Sequence, residues 1–157
     1  MTSIGRLLKE WKEFQRNAPG YIFAEPMNDD MFNWRAKNIG PPDTPFAGGI
    51  FIVDISFSQK HPIEPPQCVM KTKMFHRNIS STGKISISIF EKDWIPVLTI
   101  RSILLSIYSI LDDPLMDNPI NHEAARCFSE NPTKYDSSVR ECTLNHANES
   151  SIPDENE

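Results

Sequence analysis

FHRNISSTGKISISIFEKDWIP, residues 75–96, is the stretch on which the reading of this chain turns. A polar corner, His76-Arg77-Asn78, is followed eight residues after Asn78 by Ser86, and then by Trp94-Ile95-Pro96. The spacing predicts a backbone turn that aims the Asn78 amide at one small residue on a nearby extended segment. That small residue carries a hydroxyl.

The flanking sequence supplies the scaffold. Upstream, Ile4, Leu7, Leu8, Trp11 and Phe14 recur at three and four residues, with Arg6, Lys9, Lys12 and Glu13 between them, so residues 4–16 read as an amphipathic helix. Ala18-Pro19-Gly20 stops it. Strands are predicted over 22–26, 32–39, 49–57 and 68–71; the third, GIFIVDISF, is rich in β-branched and aromatic residues. Pro62, Pro65 and Pro66 exclude a central strand or a helix just before the fourth. Downstream, Thr99 is a candidate N-cap for a helix whose apolar stripe is Ile103, Leu104, Ile107, Ile110 and Leu111, and Asp112-Asp113-Pro114 ends it. Residues 121–129 and 132–146 read as two further helices. The order is that of an α+β fold with a meander sheet.

The chain has 157 residues, 39% of them hydrophobic, enough for one domain and one core. No run of eighteen apolar residues is present, and the charged N-terminus does not read as a secretory signal, so a soluble intracellular protein is expected, with no membrane partner. Net charge is -5, yet residues 148–157, NESSIPDENE, hold four acids and no base; without them 16 bases face 17 acids. The near-neutral body gives no basis for a nucleic-acid partner. The chain therefore divides into a domain over 1–147 and an acidic tail over 148–157, expected to be disordered. Cys68, Cys127 and Cys142 form no CxxC pair and the four histidines are scattered, so no metal site is predicted and the thiols read as reduced packing residues.

Taken together, WRAKNIGPPDTPFAGGIF (34–51), HPIEPP (61–66), FHRN (75–78), TGKISI (82–87), DWIPVLTI (93–100) and LDDPLMDNPINHEAA (111–125) resemble the ubiquitin-conjugating enzymes, in particular the class with little beyond the catalytic core. The resemblance runs from the first helix to about His146. It implies a four-stranded antiparallel sheet flanked by helices, and no cofactor. It also implies a cysteine that receives ubiquitin as a thioester from a ubiquitin-activating enzyme and passes it to lysine with a RING-type ligase. The family's His-Pro-Asn motif matches His76-Arg77-Asn78, and its cysteine matches Ser86.

By that resemblance Asn78 stabilises the charge developing as an amine attacks, or braces the adjacent loop; both readings stand at this level. His76 reads better as a turn-fixing residue than as an acid or base. Arg77, in place of proline, restores a backbone N–H and reads as a solvated side chain on a looser turn. Asp117 and Asn118 match positions that orient or desolvate the incoming lysine. Ser86 is the departure that matters, because a hydroxyl needs an adjacent general base where a thiolate does not, and the local sequence offers none. The resemblance further places ligase contacts at Arg6, Lys9, Ile63, Pro96 and Val97. It places ubiquitin contacts at Leu105 and Ser109 on the central helix and at Phe23 on the first strand.

Three functions fit these residues. One is a conjugating-enzyme-like protein that binds ubiquitin, a ligase or a true conjugating enzyme, either with transfer impaired by Ser86 or as a non-catalytic regulator. A second is a transferase in which the cysteine has been exchanged for Ser86. The third is a serine-based carrier. All three belong to the ubiquitin pathway and imply a cytoplasmic or nuclear location.

Overall fold

A computed structural model of the chain describes residues 2–117 and 119–154. Helix α1 (Ser3–Asn17) leads into four strands, β1 (Ile22–Met27), β2 (Asp30–Ile39), β3 (Ile50–Ser56) and β4 (Gln67–Met70). The strands pair antiparallel in the order β1-β2-β3-β4, as a meander. A short 3₁₀ turn over Ser88–Phe90 follows, then α2 (Ile100–Asp112), α3 (His122–Glu130) and α4 (Pro132–His146). The strands and helices read from the sequence all form, with ends shifted by one or two residues.

Local chemistry fixes the helix starts. Thr2 caps α1 by accepting the Gly5 N–H, and Asn121 and Asn131 do the same for α3 and α4. At α2, Thr99 and Ser102 form a reciprocal capping box. The core lies between the inner sheet face and α2. Trp34, Ala36, Phe51, Val53 and Ile55 meet Ile100, Ile103, Leu104, Ile107 and Leu111, with Leu7 and Phe14 closing one end.

Two expectations for α1 are revised. Ile4 and Leu8, read as part of its buried stripe, are exposed, and the acid Glu10 lies in the buried face between Leu7 and Phe14. Glu10 is kept there by partners: its carboxyl accepts the Ile100 N–H at 2.7 Å, lies 2.7 Å from His61 Nε2, and receives Arg6 Nε at 3.0 Å. One buried carboxyl thereby ties α1 to the start of α2 and to the 58–66 loop. A charge taken out of water is tolerable only with such satisfaction.

In the tail, residues 149–151 form a 3₁₀ turn and the Pro153 carbonyl accepts a hydrogen bond from Arg35 Nη1; residues 155–157 lie outside the described ones. No helix among the described residues is long and apolar enough to cross a membrane.

Removing the Glu10 carboxyl strands the Ile100 N–H, His61 and Arg6 in a dry site. Glu10→Ala is expected to lower folding stability by about 3 kcal/mol, read as a shift of the urea midpoint at unchanged slope.

Candidate active site

The site is built by the chain between β4 and α2. Gly83 makes its first turn. With φ at +90°, and with the Met70 carbonyl oxygen 2.3 Å from where a Cβ would sit, the position accepts only glycine. The Gly83 carbonyl accepts the Met70 N–H at 2.8 Å, so the 80–85 segment is held against β4. Ile85 and Ile87 are buried on either side of Ser86, which turns the Ser86 side chain outward to a half-exposed position. The Ser86 N–H donates to the Asn78 carbonyl at 2.9 Å. The corner and the small residue are thus brought together through the backbone, while the Asn78 side-chain amide that the spacing predicted to aim at Ser86 is bonded to Leu115.

Each residue of the corner holds a different piece of chain. His76 Nε2 lies 2.7 Å from the Ile110 carbonyl, and its Nδ1 is 2.9 Å from the Asn78 backbone N–H. A carbonyl can only accept and an N–H can only donate, so the ring is neutral with its proton on Nε2. It is fully buried. Burial drives its pKa down to about 4, the Ile110 bond opposes that, and the Arg77 cation adds to it. Both nitrogens are committed, so His76 fastens the corner to the end of α2 and is not available as a base.

Asn78 is also fully buried. Its Oδ1 accepts the Leu115 N–H at 2.9 Å and its Nδ2 donates to the Leu115 carbonyl at 3.1 Å. These are bracing contacts, one to each end of the amide.

Arg77 corrects the reading of a solvated side chain on a loosened turn. It is 5% exposed, and its Nη2 donates to the Met116 carbonyl at 2.8 Å. Its guanidinium lies 5.7 Å from the centre of the Phe128 ring, and its own carbonyl accepts the N–H groups of Ile120 and Asn121. Arg77 thus clamps the loop between α2 and α3 that Asn78 braces from its other end. Nothing in the local sequence announced this, since an arginine after histidine is compatible with water; Phe128 and Tyr135, the aromatic wall behind it, lie fifty residues away.

Asp117 is exposed on that loop, and Asn118 lies outside the described residues. Among the described residues no imidazole or carboxyl is hydrogen-bonded to Ser86 Oγ, and His76 is spoken for on both sides. Nor do they hold a cluster of three or more His, Cys, Asp or Glu fit for a metal. Cys68, Cys127 and Cys142 are half-buried on β4, α3 and α4; burial raises the Cys68 and Cys142 thiols, the opposite of an activated nucleophile.

The remaining sequence-predicted residues fall on two surfaces. Ile63 and Val97 are 70% and 71% exposed, Pro96 is exposed, and Ile95 joins them at 51%. Trp94 Nε1 donates to the Pro62 carbonyl at 2.9 Å, so the two loops are one unit. Lys9 is exposed, but Arg6 turns inward: its Nη2 donates to the carbonyls of Pro96 and Leu98 at 2.8 and 3.1 Å. On α2, Ser109 is exposed and Leu105 is half-buried against the core. Phe23 is 54% exposed on the outer sheet face.

Two outcomes follow from the corner. In a neutral His76 with a folded pKa near 4 and an unfolded one near 6.5, the unfolded chain binds a proton first as pH falls. Stability is therefore fully present above pH 6.5 and is lost down to about pH 4; the contribution is roughly 3 kcal/mol. Urea midpoints across that range are expected to fall more steeply for the native chain than for His76→Gln. Arg77→Ala, which removes the carbonyl bond and the ring contact together, is expected to cost about 2 kcal/mol and to speed amide exchange at Leu115, Ile120 and Asn121.

The comparison with known proteins agrees with this geometry. A family profile described as "Ubiquitin-conjugating enzyme" matches residues 6–143. Among solved structures, the E2 domain of a Toxoplasma gondii ubiquitin conjugating enzyme superposes with a TM-score of 0.85 at 36% identity, covering 92% of this chain and 98% of that one. The matched span takes in α1, the sheet, the braced corner and most of α4. The chain belongs to the ubiquitin-conjugating enzyme family.

Proposed function

We propose that this protein works in the ubiquitin pathway as a conjugating-enzyme-like factor that binds ubiquitin and RING-type ligases, with thioester transfer impaired by Ser86. The observation that carries the reading is the contrast within the site. The turn, the His76 anchor and the Asn78 brace are all assembled next to Ser86, while its hydroxyl is hydrogen-bonded to no base among the described residues.

The chemistry follows from that contrast. Loading by a ubiquitin-activating enzyme would require the Ser86 hydroxyl to attack a thioester carbonyl, lose its proton to solvent and expel the thiolate. Serine without a base is a poor nucleophile for this, and the oxygen ester formed would release its acyl group to an amine more slowly than a thioester. The remaining Nδ2 hydrogen of Asn78 is the group suited to an oxyanion, worth about a hundredfold in rate where such donors act. Asp117, exposed on the clamped loop, with Asn118 next to it in sequence, is the residue proposed to orient an incoming lysine.

The binding half of the proposal rests on the exposed Ile63, Ile95, Pro96 and Val97, set on a frame that Arg6, Glu10, Trp94 and Pro62 make rigid. A pre-formed apolar patch loses little conformational entropy on binding. Lys9 adds a cation beside it, and Leu105 and Ser109 offer a second face to ubiquitin. The proposed site of action is the cytoplasm or nucleus, where this chemistry operates.

The test is charging with activating enzyme, ATP and ubiquitin. The native chain is expected to give little adduct, resistant to reductant if any forms. Ser86→Cys is expected to give a reductant-sensitive adduct at least about tenfold faster. A fast, rapidly discharging adduct on the native chain would overturn the impaired-site reading; no adduct on Ser86→Cys would overturn the reading of an assembled transfer site.

A further inference from the structure

The register of the sheet puts Phe23, Lys37 and Ile52 in one cross-strand row, and Glu25, Arg35 and Asp54 in the next, all on the face turned away from α2. A side chain on such an outer face is ordinarily in contact with water. Phe23 follows that rule at 54% exposure, but Ile52 in the same row is 1% exposed. Something covers the β3 end of the row.

The C-terminal segment reaches it. At the end of α4 the Ala147 carbonyl accepts the Ile50 N–H at 2.9 Å, which starts the segment beside β3. Asn148 then folds it: its Oδ1 accepts from the Ser150 and Ser151 hydroxyls at 2.6 and 2.9 Å, and its Nδ2 donates to the Leu144 carbonyl at 3.1 Å. After this turn Ile152, half-buried, lines one groove with Phe23 and Ile52. The Pro153 carbonyl accepts from Arg35 Nη1 at 2.5 Å, while Asp54 holds the same guanidinium through Nε at 2.7 Å and Nη2 at 3.0 Å. A half-buried isoleucine and a guanidinium–carbonyl bond are among its far-end fastenings; the segment lies outside the core between the sheet and α2, so it can open without unfolding the domain.

We infer that residues 148–153 form a strap, an intramolecular occupant of the outer sheet face that must lift before the aliphatic patch of a protein partner can seat on Phe23 and Ile52. The strap and a partner would compete for the same groove, so the apparent affinity of the partner is reduced by the fraction of molecules in which the strap is down. The choice of ubiquitin as that partner rests on the function proposed above; the strap itself does not.

The experiment uses the full chain with labelled isoleucine methyl groups, compared with Ile152→Asp, with the milder Ile152→Ala, and with Leu144→Asp as a control on an exposed part of α4. Relaxation of the Ile52 methyl by a paramagnetic agent in the solvent is expected to rise several-fold in Ile152→Asp, less in Ile152→Ala, and not at all in Leu144→Asp. Titrated ubiquitin is expected to bind Ile152→Asp about tenfold more tightly than the native chain. An Ile52 methyl equally shielded in all four proteins overturns the strap, and equal affinity overturns the competition. If ubiquitin binds none of the four, ubiquitin is overturned as the partner of this face, and the methyl result still decides the strap.

Discussion

Two hydrogen bonds between the Asn78 amide and the backbone of Leu115 set the geometry on which the site depends. Both ends of this fully buried amide are used by one residue, so the Leu115 end of the loop after α2 is held in register with the corner. His76 on one side joins that corner to the end of α2, and Arg77 on the other clamps Met116, Ile120 and Asn121. Three consecutive residues thus tie the end of α2 and the described parts of the loop after it to the corner beside Ser86. Such bracing is the kind of preorganisation that positioning requires of a scaffold.

A second buried hub, the Glu10 carboxyl, performs the same service for the end that carries the exposed aliphatics. It fixes α1, the 58–66 loop and the start of α2 relative to one another, and Arg6 carries the connection on to the loop bearing Pro96 and Leu98. The exposed aliphatics Ile63, Ile95 and Val97 therefore stand on a frame whose buried carboxyl is held by three partners. Neither hub adds much hydrophobic burial. Their contribution is uniqueness of arrangement, which a core of aliphatic side chains alone specifies less sharply.

Much of this was legible in the sequence where periodicity or spacing carried it. The stripe of Ile103, Leu104, Ile107, Ile110 and Leu111 could form only a helix with one buried face, and GIFIVDISF only a strand buried on at least one face. The eight-residue interval from Asn78 to Ser86 placed the hydroxyl beside the corner. What escaped was long-range pairing of polar groups. Glu10 sits on the buried face three residues from Leu7, four from Arg6 and four from Phe14, a pattern that hinted at a satisfied buried acid, but its partners His61 and Ile100 lie fifty and ninety residues on. Arg77 was read as solvated because Phe128 and the 115–121 loop are invisible from its neighbours. The tail was read as disordered from composition, which says nothing of a single isoleucine finding a groove on the sheet.

Membership of a family does not by itself establish present chemistry; the site does. Here the scaffold and the nucleophile point in different directions, and the account holds that the scaffold is complete. The most direct test is single-turnover discharge: ubiquitin is loaded onto Ser86→Cys and the loss of the thioester to free lysine is followed, with Asn78→Ala in the same background as comparison. The account expects lysine-dependent discharge from Ser86→Cys that slows about a hundredfold when the Asn78 amide is removed. A thioester that ignores lysine, or that discharges equally well without Asn78, would contradict it.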